Sequence, residues 1–394
     1  MSRVIRVLGA HALSSVGMSL PWPLLLVLVW DATGSSLWLG VAAATRMLPY
    51  VLFSWWLPRV ADRFERDRVV RRSIAARLVL LSGVAAMVHA GQVGWAVAFA
   101  ALAVVAATPA YPALAAGMPA LAGPSSGRAT ELLVTIEVSS FVVGPALGGL
   151  LLHHRPTMLL LPVVLTGAAA VMYSGVRQPR PSLRSGAPRV PVLGLLVALG
   201  PLRRGVVAVI LVNLVIAGVQ VALLPFADQR WDGETSFGIA TGILGLGSLA
   251  GPLLTRVGRG APTRIWSGTA LVAAGIGALA LTPTVWWAAG PLALAGAAAV
   301  HVETAATETI QEGVPDQQRA ELLGVTDTAM VAAALVGSLV APVLATALGG
   351  ATLLAATTLV TAGIAWRWAA TPPDRPAHRG KRTPLAVGSL QGRP

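Results

Sequence analysis

Three acids stand inside long apolar runs of this chain: Glu137, Glu303 and Asp327. Arg46 is enclosed in the same way, and His301 and Glu308 share the stretch that holds Glu303. An ionisable group in hydrocarbon costs roughly 2.5–3.5 kcal/mol on insertion scales, so a function is its default reading. The chemistry open to such acids is proton exchange. A carboxylate that alternates between dry and wet surroundings loads a proton in one and releases it in the other. Glu137, Glu303 and Asp327 are therefore expected to include a proton-coupling acid, with Arg46 and Glu308 as further candidates. Each also has a structural reading. Arg46 could sit in a buried ion pair with Asp327 or Glu137, and Glu308 could be a solvated residue at the end of a span. His301 lies about 200° around a helix from Glu303, and suits packing as well as proton relay.

A second group of residues suits binding. Asn213 and Gln220 are seven apart and share a helix face. Their amides fit substrate contacts, or helix–helix hydrogen bonds worth about 0.6 kcal/mol each. Pro21 and Pro23 flank Trp22, and Pro109 and Pro112 flank Tyr111. Proline removes a helical hydrogen bond and kinks the helix, and helices broken at membrane depth line cavities. Trp22 and Tyr111 are then either an aromatic surface for an apolar substrate or core packing. Other chemistries lack their residues. There is no cysteine, hence no disulfide or thiolate site. The pair His153-His154 reads as a solvated turn, and no metal site is expected. The single lysine, Lys381, precedes Arg382, so no phosphate-binding Gly-Lys-[Ser/Thr] loop exists, and no His-Glu-x-x-His occurs. The chain is expected to be no enzyme and to need no cofactor.

These residues must be positioned by elements that lie in a membrane. Of 394 residues, 55% are hydrophobic and 11% are charged. Soluble domains carry about 25% charged residues. Crossing about 30 Å of hydrocarbon takes about 20 apolar residues. Twelve runs qualify: 5–30, 37–57, 74–90, 94–115, 130–152, 157–176, 205–227, 236–256, 265–282, 286–308, 321–347 and 351–369. The first follows Arg3 and Arg6 but is too long for a signal segment. The expected fold is an all-α membrane protein with twelve transmembrane helices in two pseudo-symmetric six-helix halves, 1–176 and 205–369. A basic central loop, 177–204, joins them, and a disordered tail, 370–394, follows, whose charges can touch anionic lipid.

Arginine sets the orientation. The chain has 29 basic residues. With connections assigned alternately, 25 of them fall on the side that holds both tails, and only Arg155 and Arg230 on the other. Arg46 and Arg77 lie within spans. The positive-inside rule then places both termini in the cytoplasm, for a protein of the cytoplasmic membrane. It also accounts for the net charge of +13. Nucleic-acid binding would gather such charge on one face, whereas here it is spread over loops and tails. Eleven of the twelve tryptophans sit near a span end, as an aromatic belt does, and Trp22 alone is deep.

The halves repeat at a spacing of about 190 residues. Glu131-Leu132-Leu133 returns as Glu321-Leu322-Leu323, and six residues after each glutamate stand Glu137 and Asp327. Arg63 and Arg66 after span 2 match Arg256 and Arg259 after span 8. Two parallel halves are a recurrent plan of secondary transporters.

With these stretches in view, the chain resembles the major facilitator superfamily, and its first half is similar to the macrolide-efflux and enterobactin-exporter branch of drug:proton antiporters. Ser14-Ser15-Val16-Gly17 with Thr33-Gly34-Ser35-Ser36 resembles that branch's first span and turn. Asp62-Arg63-Phe64-Glu65-Arg66 resembles the loop motif after span 2, with Pro58 and Glu65 where the motif has glycine. Gly144-Pro145-Ala146-Leu147-Gly148-Gly149 in span 5 resembles the exporter motif, and Gln311-Glu312-Gly313-Val314-Pro315 before span 11 also fits. The resemblance implies a central cavity lined by spans 1, 4, 7 and 10, which adds Trp22, Tyr111, Asn213, Gln220 and His301 as substrate contacts. It implies gating by Asp62, Arg63 and Arg66, with Asp62 capping span 11 in one state. Gly144, Pro145, Gly148 and Gly149 form the exporter motif, and the spacing of Gly144 and Gly148, with that of Gly238, Gly242, Gly247 and Gly251 in span 8, would allow the close approach that sliding between the halves needs. The activity implied is efflux of an amphipathic small molecule (drug, antibiotic or siderophore-like) against protons, by a monomer in the bilayer. Uptake, lipid flipping by the same fold, and a non-transporting sensor or assembly protein remain open.

Overall fold

The computed structural model describes residues 2–53, 64–177, 200–256, 260–313 and 316–370. Among them the chain is helical, with no strand, and folds into twelve rods. The first half holds α1 (Ser2–Ser19 and Trp22–Thr33), α2 (Ser36–Thr45 and Leu48–Phe53), α3 (Arg66–His89), α4 (Val93–Ala107 and Ala110–Ala122), α5 (Ser126–Leu150) and α6 (Arg155–Tyr173). The second holds α7 (Gly200–Arg230), α8 (Gly233–Leu249), α9 (Ala261–Leu279), α10 (Val285–Gly313), α11 (Asp316–Leu348) and α12 (Gly350–Ala370). Six stretches are long and apolar enough by themselves to cross a membrane, namely Arg3–Thr33, Val93–Ala115, Leu202–Arg230, Val285–Ile310, Val325–Leu348 and Gly350–Ala370. An even number of rods returns the chain to the end where it began. That end is called proximal below, and the other distal. Most of the expected central loop and the tail lie outside the described residues, and α7 starts at Gly200, earlier than the sequence suggested.

Proline explains the breaks. α1 parts at Leu20-Pro21, and α4 parts at Thr108-Pro109, where the ring nitrogen cannot donate. α2 also parts, at Arg46-Met47, three residues before Tyr50. Pro49 follows this turn and Leu48 precedes a proline, a position that disfavours helix. The sequence reading treated span 2 as continuous. By contrast α5, α7, α10 and α11 run through Pro145, Pro225, Pro291 and Pro342.

Large apolar side chains cover the outside of the bundle, among them Val79, Leu160, Val171, Leu281 and Leu359. Trp38, Trp95, Trp286, Trp287 and Trp366 are exposed near rod ends, while Trp22 is 2% exposed in the core. In lipid, apolar burial does not drive helix association, so close packing of small residues carries it.

The two halves meet along two seams, α5 on α8 and α2 on α11. These seams are one contact made twice, because α5 corresponds to α11 and α2 to α8 in the repeat. At the first seam a Cβ placed on Gly149 would lie 2.5 Å from the Gly238 carbonyl oxygen. At the second, a Cβ on Gly40 would lie 2.6 Å from the Leu339 carbonyl oxygen. The distal end carries polar links between the halves. Arg155 Nη2 donates to Glu234 Oε2 at 2.9 Å and lies 3.9 Å from Asp31 Oδ2. The hydroxyls of Ser36 and Thr346 are 2.9 Å apart.

Candidate functional site

The proline breaks at α1, α2 and α4 turn side chains toward the middle of the bundle. There α1 to α5 enclose a small cavity lined by His11, Tyr50, Arg77, Tyr111, Glu137 and Phe141, with others. His11 Nε2 is 2.8 Å from Glu137 Oε2. The approach is out of line with the ring N–H, and Nδ1 has no partner. His11 is 4% exposed, and its ring centroid lies 6.2 Å from that of Tyr111. Arg77 is 2% exposed and donates to the Ser73 carbonyl of its own helix. Its charge acts on Tyr50, and Glu137 in turn acts on Arg77.

The second half contributes two acids to the same region. Asp327 is within electrostatic reach of Glu137, Tyr50 and Tyr111, and also of Glu303. Glu137 and Asp327, the matched positions of the repeat, thus act on each other electrostatically, and Asp327 acts likewise on Glu303 of α10. Asp327 is exposed and Glu303 half-buried. The sequence reading did not single out His11, although an ionisable residue inside a span is the same signal that marked His301. It noted Arg77 only as lying within a span.

A second cavity of about 30 Å³ lies between the halves, lined by Trp22, Arg46, Pro145, Gln220, Phe237 and Thr241, with others. Arg46 forms no ion pair with Asp327 or Glu137. Its Nη2 donates to the Phe141 carbonyl at 3.2 Å, and the guanidinium stands 6.0 Å from the Phe141 ring centroid. The break in α2 explains this: the turn at Arg46 aims the side chain along α5. Gln220 reaches the cavity, whereas Asn213 donates from Nδ2 to the Val209 carbonyl of α7 at 3.0 Å.

Other sequence candidates lie elsewhere. His301 is 1% exposed and packs against Gly268 of α9, with neither ring nitrogen hydrogen-bonded. It therefore faces the second half's own packing and lines neither cavity. Glu308 is paired with Arg264 of α9. Gly144 and Gly148 do not serve the α5–α8 seam. Gly144 rests on Ser19, with a Cβ there 2.5 Å from Ser19 Cβ, and Gly148 meets the Leu20 carbonyl, so both fit α5 to α1. Gly149 alone of that motif's glycines meets α8. On α8, Gly238 and Gly242 face α5 while Gly247 faces α10, as does Gly251 in the turn that follows α8. Asp62 and Arg63 lie outside the described residues, and Arg66 opens α3. Gly123-Pro124-Ser125-Ser126-Gly127 has Gly-x-Ser-x-Gly spacing. That elbow needs a strand before its helix, and here it joins two helices. Among the described residues no His, Cys, Asp and Glu group could hold a metal.

Two six-rod halves meeting along paired seams, with ionisable groups between them, define a membrane transporter rather than an enzyme. The profile of the Major Facilitator Superfamily matches residues 7–338, and the chain belongs to that superfamily. No curated protein sequence matches it. Solved structures are similar in fold. A D-xylose-proton symporter aligns with a TM-score of 0.69 at 15% identity, over 93% of this chain and 97% of that one. A POT family transporter in complex with 5-aminolevulinic acid aligns at 0.69 and 12% identity, over 93% and 94%. A bacterial homolog of the human lysosomal transporter Spinster, in an inward-facing and unoccupied conformation, aligns at 0.65 and 13% identity, over 94% and 96%.

Proposed function

We propose that this transporter exports an amphipathic small molecule in exchange for protons, as in the macrolide-efflux and enterobactin-exporter branch. It would sit in the cytoplasmic membrane as a monomer, with the proximal end and both termini in the cytoplasm. The observation that carries the reading is the electrostatic coupling of Asp327 to both Glu137 and Glu303. One acid comes from the first half and two from the second, so relative movement of the halves changes the surroundings of all three. His11, beside Glu137, offers a second proton site at 2.8 Å. The arginine bias toward the proximal side supports the orientation. The glycine contact at Gly149 and Gly238 supports rocking about the α5–α8 seam, since bare backbones slide without moving side chains out of the way.

The experiment uses inverted vesicles with an acid lumen, and follows lumenal pH while lipophilic cations, macrolides, siderophores and aromatic anions are added. Exchange gives substrate-evoked alkalinisation of the lumen, reduced at least tenfold in Glu137→Gln or Asp327→Asn. Flux of substrate with no proton movement would leave a uniporter or a flippase. Symport would show as the opposite sign of pH change.

A further inference from the structure

Arg46 has an unusual electrical setting. It lies in the membrane-spanning bundle, and among the described residues no carboxylate is within ion-pair distance. Among the described residues, the ionisable group that acts on it is the Tyr50 phenol. Arg77, by contrast, feels Glu137. A half-buried cation within the bundle whose partner is a carbonyl remains short of negative charge, and a guanidinium is the side chain best shaped to take a planar or tetrahedral oxyanion. Arg46 borders the cavity between the halves. From the second half, Thr241 lines the same cavity, is 1% exposed, and its hydroxyl has no hydrogen-bond partner. Gln220 adds an amide, and Trp22 and Phe237 add aromatic surface.

We infer that this cavity binds the anionic group of an amphipathic substrate. The guanidinium of Arg46 takes the anion, the Thr241 hydroxyl and the Gln220 amide donate to it, and Trp22 and Phe237 hold the apolar body. Arg46 and Trp22 belong to the first half, and Gln220, Phe237 and Thr241 to the second. The ligand therefore ties the halves together where they meet. The cavity of about 30 Å³ has room for about two waters. It is a seam between halves, so it widens as they part. This rests on the proposed reading that the chain carries an amphipathic small molecule, and it narrows that class to anions.

The test uses three probes of one shape and fixed charge: 2-naphthalenesulfonate, 2-naphthalenesulfonamide and a 2-naphthyltrimethylammonium salt. Each is titrated against the purified full chain in detergent, with binding read from the thermal unfolding midpoint and from direct calorimetry. The sulfonate is expected to bind at least tenfold more tightly than the other two. Arg46→Gln removes that preference, and Arg46→Lys restores part of it. Thr241→Val, which keeps shape and loses only the unpaired hydroxyl, weakens sulfonate binding several-fold while the ligand-free midpoint holds or rises. The Thr241 variant keeps the test informative if Arg46→Gln fails to fold. Preference for the cation, equal or absent binding of all three probes, or unchanged sulfonate binding in folded Arg46→Gln overturns the assignment. The readout needs no pH gradient. Sulfonate binding without proton movement in vesicles would uphold the site and sink the proton-coupled reading instead.

Discussion

Replacing Gly149 by alanine should open the distal end. A Cβ there would lie 2.5 Å from the Gly238 carbonyl oxygen and 3.2 Å from Thr241 Cβ, across the seam between the halves. The first neighbour is backbone, so it cannot turn aside as a side chain would. Forcing an extra methyl into a packed contact costs about 1–3 kcal/mol. Parting the halves at the distal end removes the clash, so the cost falls on the distal-closed state alone. It shifts the closed-to-open ratio by about 5- to 150-fold. The adjacent Gly148 is the control. Its Cβ would meet the Leu20 carbonyl of α1, inside the first half, where rocking brings no relief. Gly148→Ala should lower thermal stability and leave the ratio unchanged. The natural absence of cysteine makes the assay clean. Leu37 and Leu348, both exposed at the distal ends of α2 and α11, are replaced by cysteine, spin-labelled, and their separation measured by pulsed dipolar spectroscopy. A longer separation in Gly149→Ala but not in Gly148→Ala is expected. The same distribution in both variants as in the parent, with the fold intact, would refute the rocking seam.

Three further outcomes follow from the geometry. Arg155→Ala removes two half-exposed pairs, of which only the one with Glu234 crosses between the halves, worth about 0–1 kcal/mol. It should raise distal opening by no more than about fivefold in the same spin-label assay, less in high salt; a larger change would mean that Arg155 holds more than Asp31 and Glu234. Glu308→Gln leaves Arg264 unpaired on a flank that is 13% exposed, so the unfolding midpoint should fall by the equivalent of about 1 kcal/mol, between exposed and buried pairs, while proton exchange persists. Loss of exchange in that variant would make Glu308 a coupling acid. If the substrate is a monoanion exchanged for one proton, each cycle moves two charges. At about 2.3 kcal/mol per charge per 100 mV, a potassium-diffusion potential of 100 mV should contribute about 4.6 kcal/mol, read as voltage-dependent flux of 2-naphthalenesulfonate. Voltage-independent flux would argue for electroneutral exchange.

The sequence carried the architecture and only part of the site. Periodic apolar runs and the arginine bias marked the twelve rods, because lipid allows few other solutions. The spaced repeat of Glu131-Leu132-Leu133 and Glu321-Leu322-Leu323 foretold that α5 and α11 play matching parts, and Glu137 and Asp327 do come within reach of one another. Trp22 and Gln220 line one cavity between the halves. Rotation about the helix axis was not legible. Gly144, Gly148 and Gly149 read alike in sequence, yet the first two face α1 and the third faces α8. His301 and Glu303 were placed on different faces, but which face met α9 depended on packing. The α2 break at Arg46-Met47 hid behind a single Pro49, and it is this turn that sends Arg46 to the Phe141 carbonyl instead of to an acid.

The central claim is that acids shared between the halves couple protons to substrate. It is tested most directly by reconstituting the full chain with a lumenal pH dye and recording proton movement on addition of a substrate that binds. Exchange should be present in the parent, absent in a Glu137→Gln, Glu303→Gln, Asp327→Asn triple variant, and accompanied in that variant by retained substrate binding. Undiminished substrate-evoked proton movement in the folded triple variant would contradict the account.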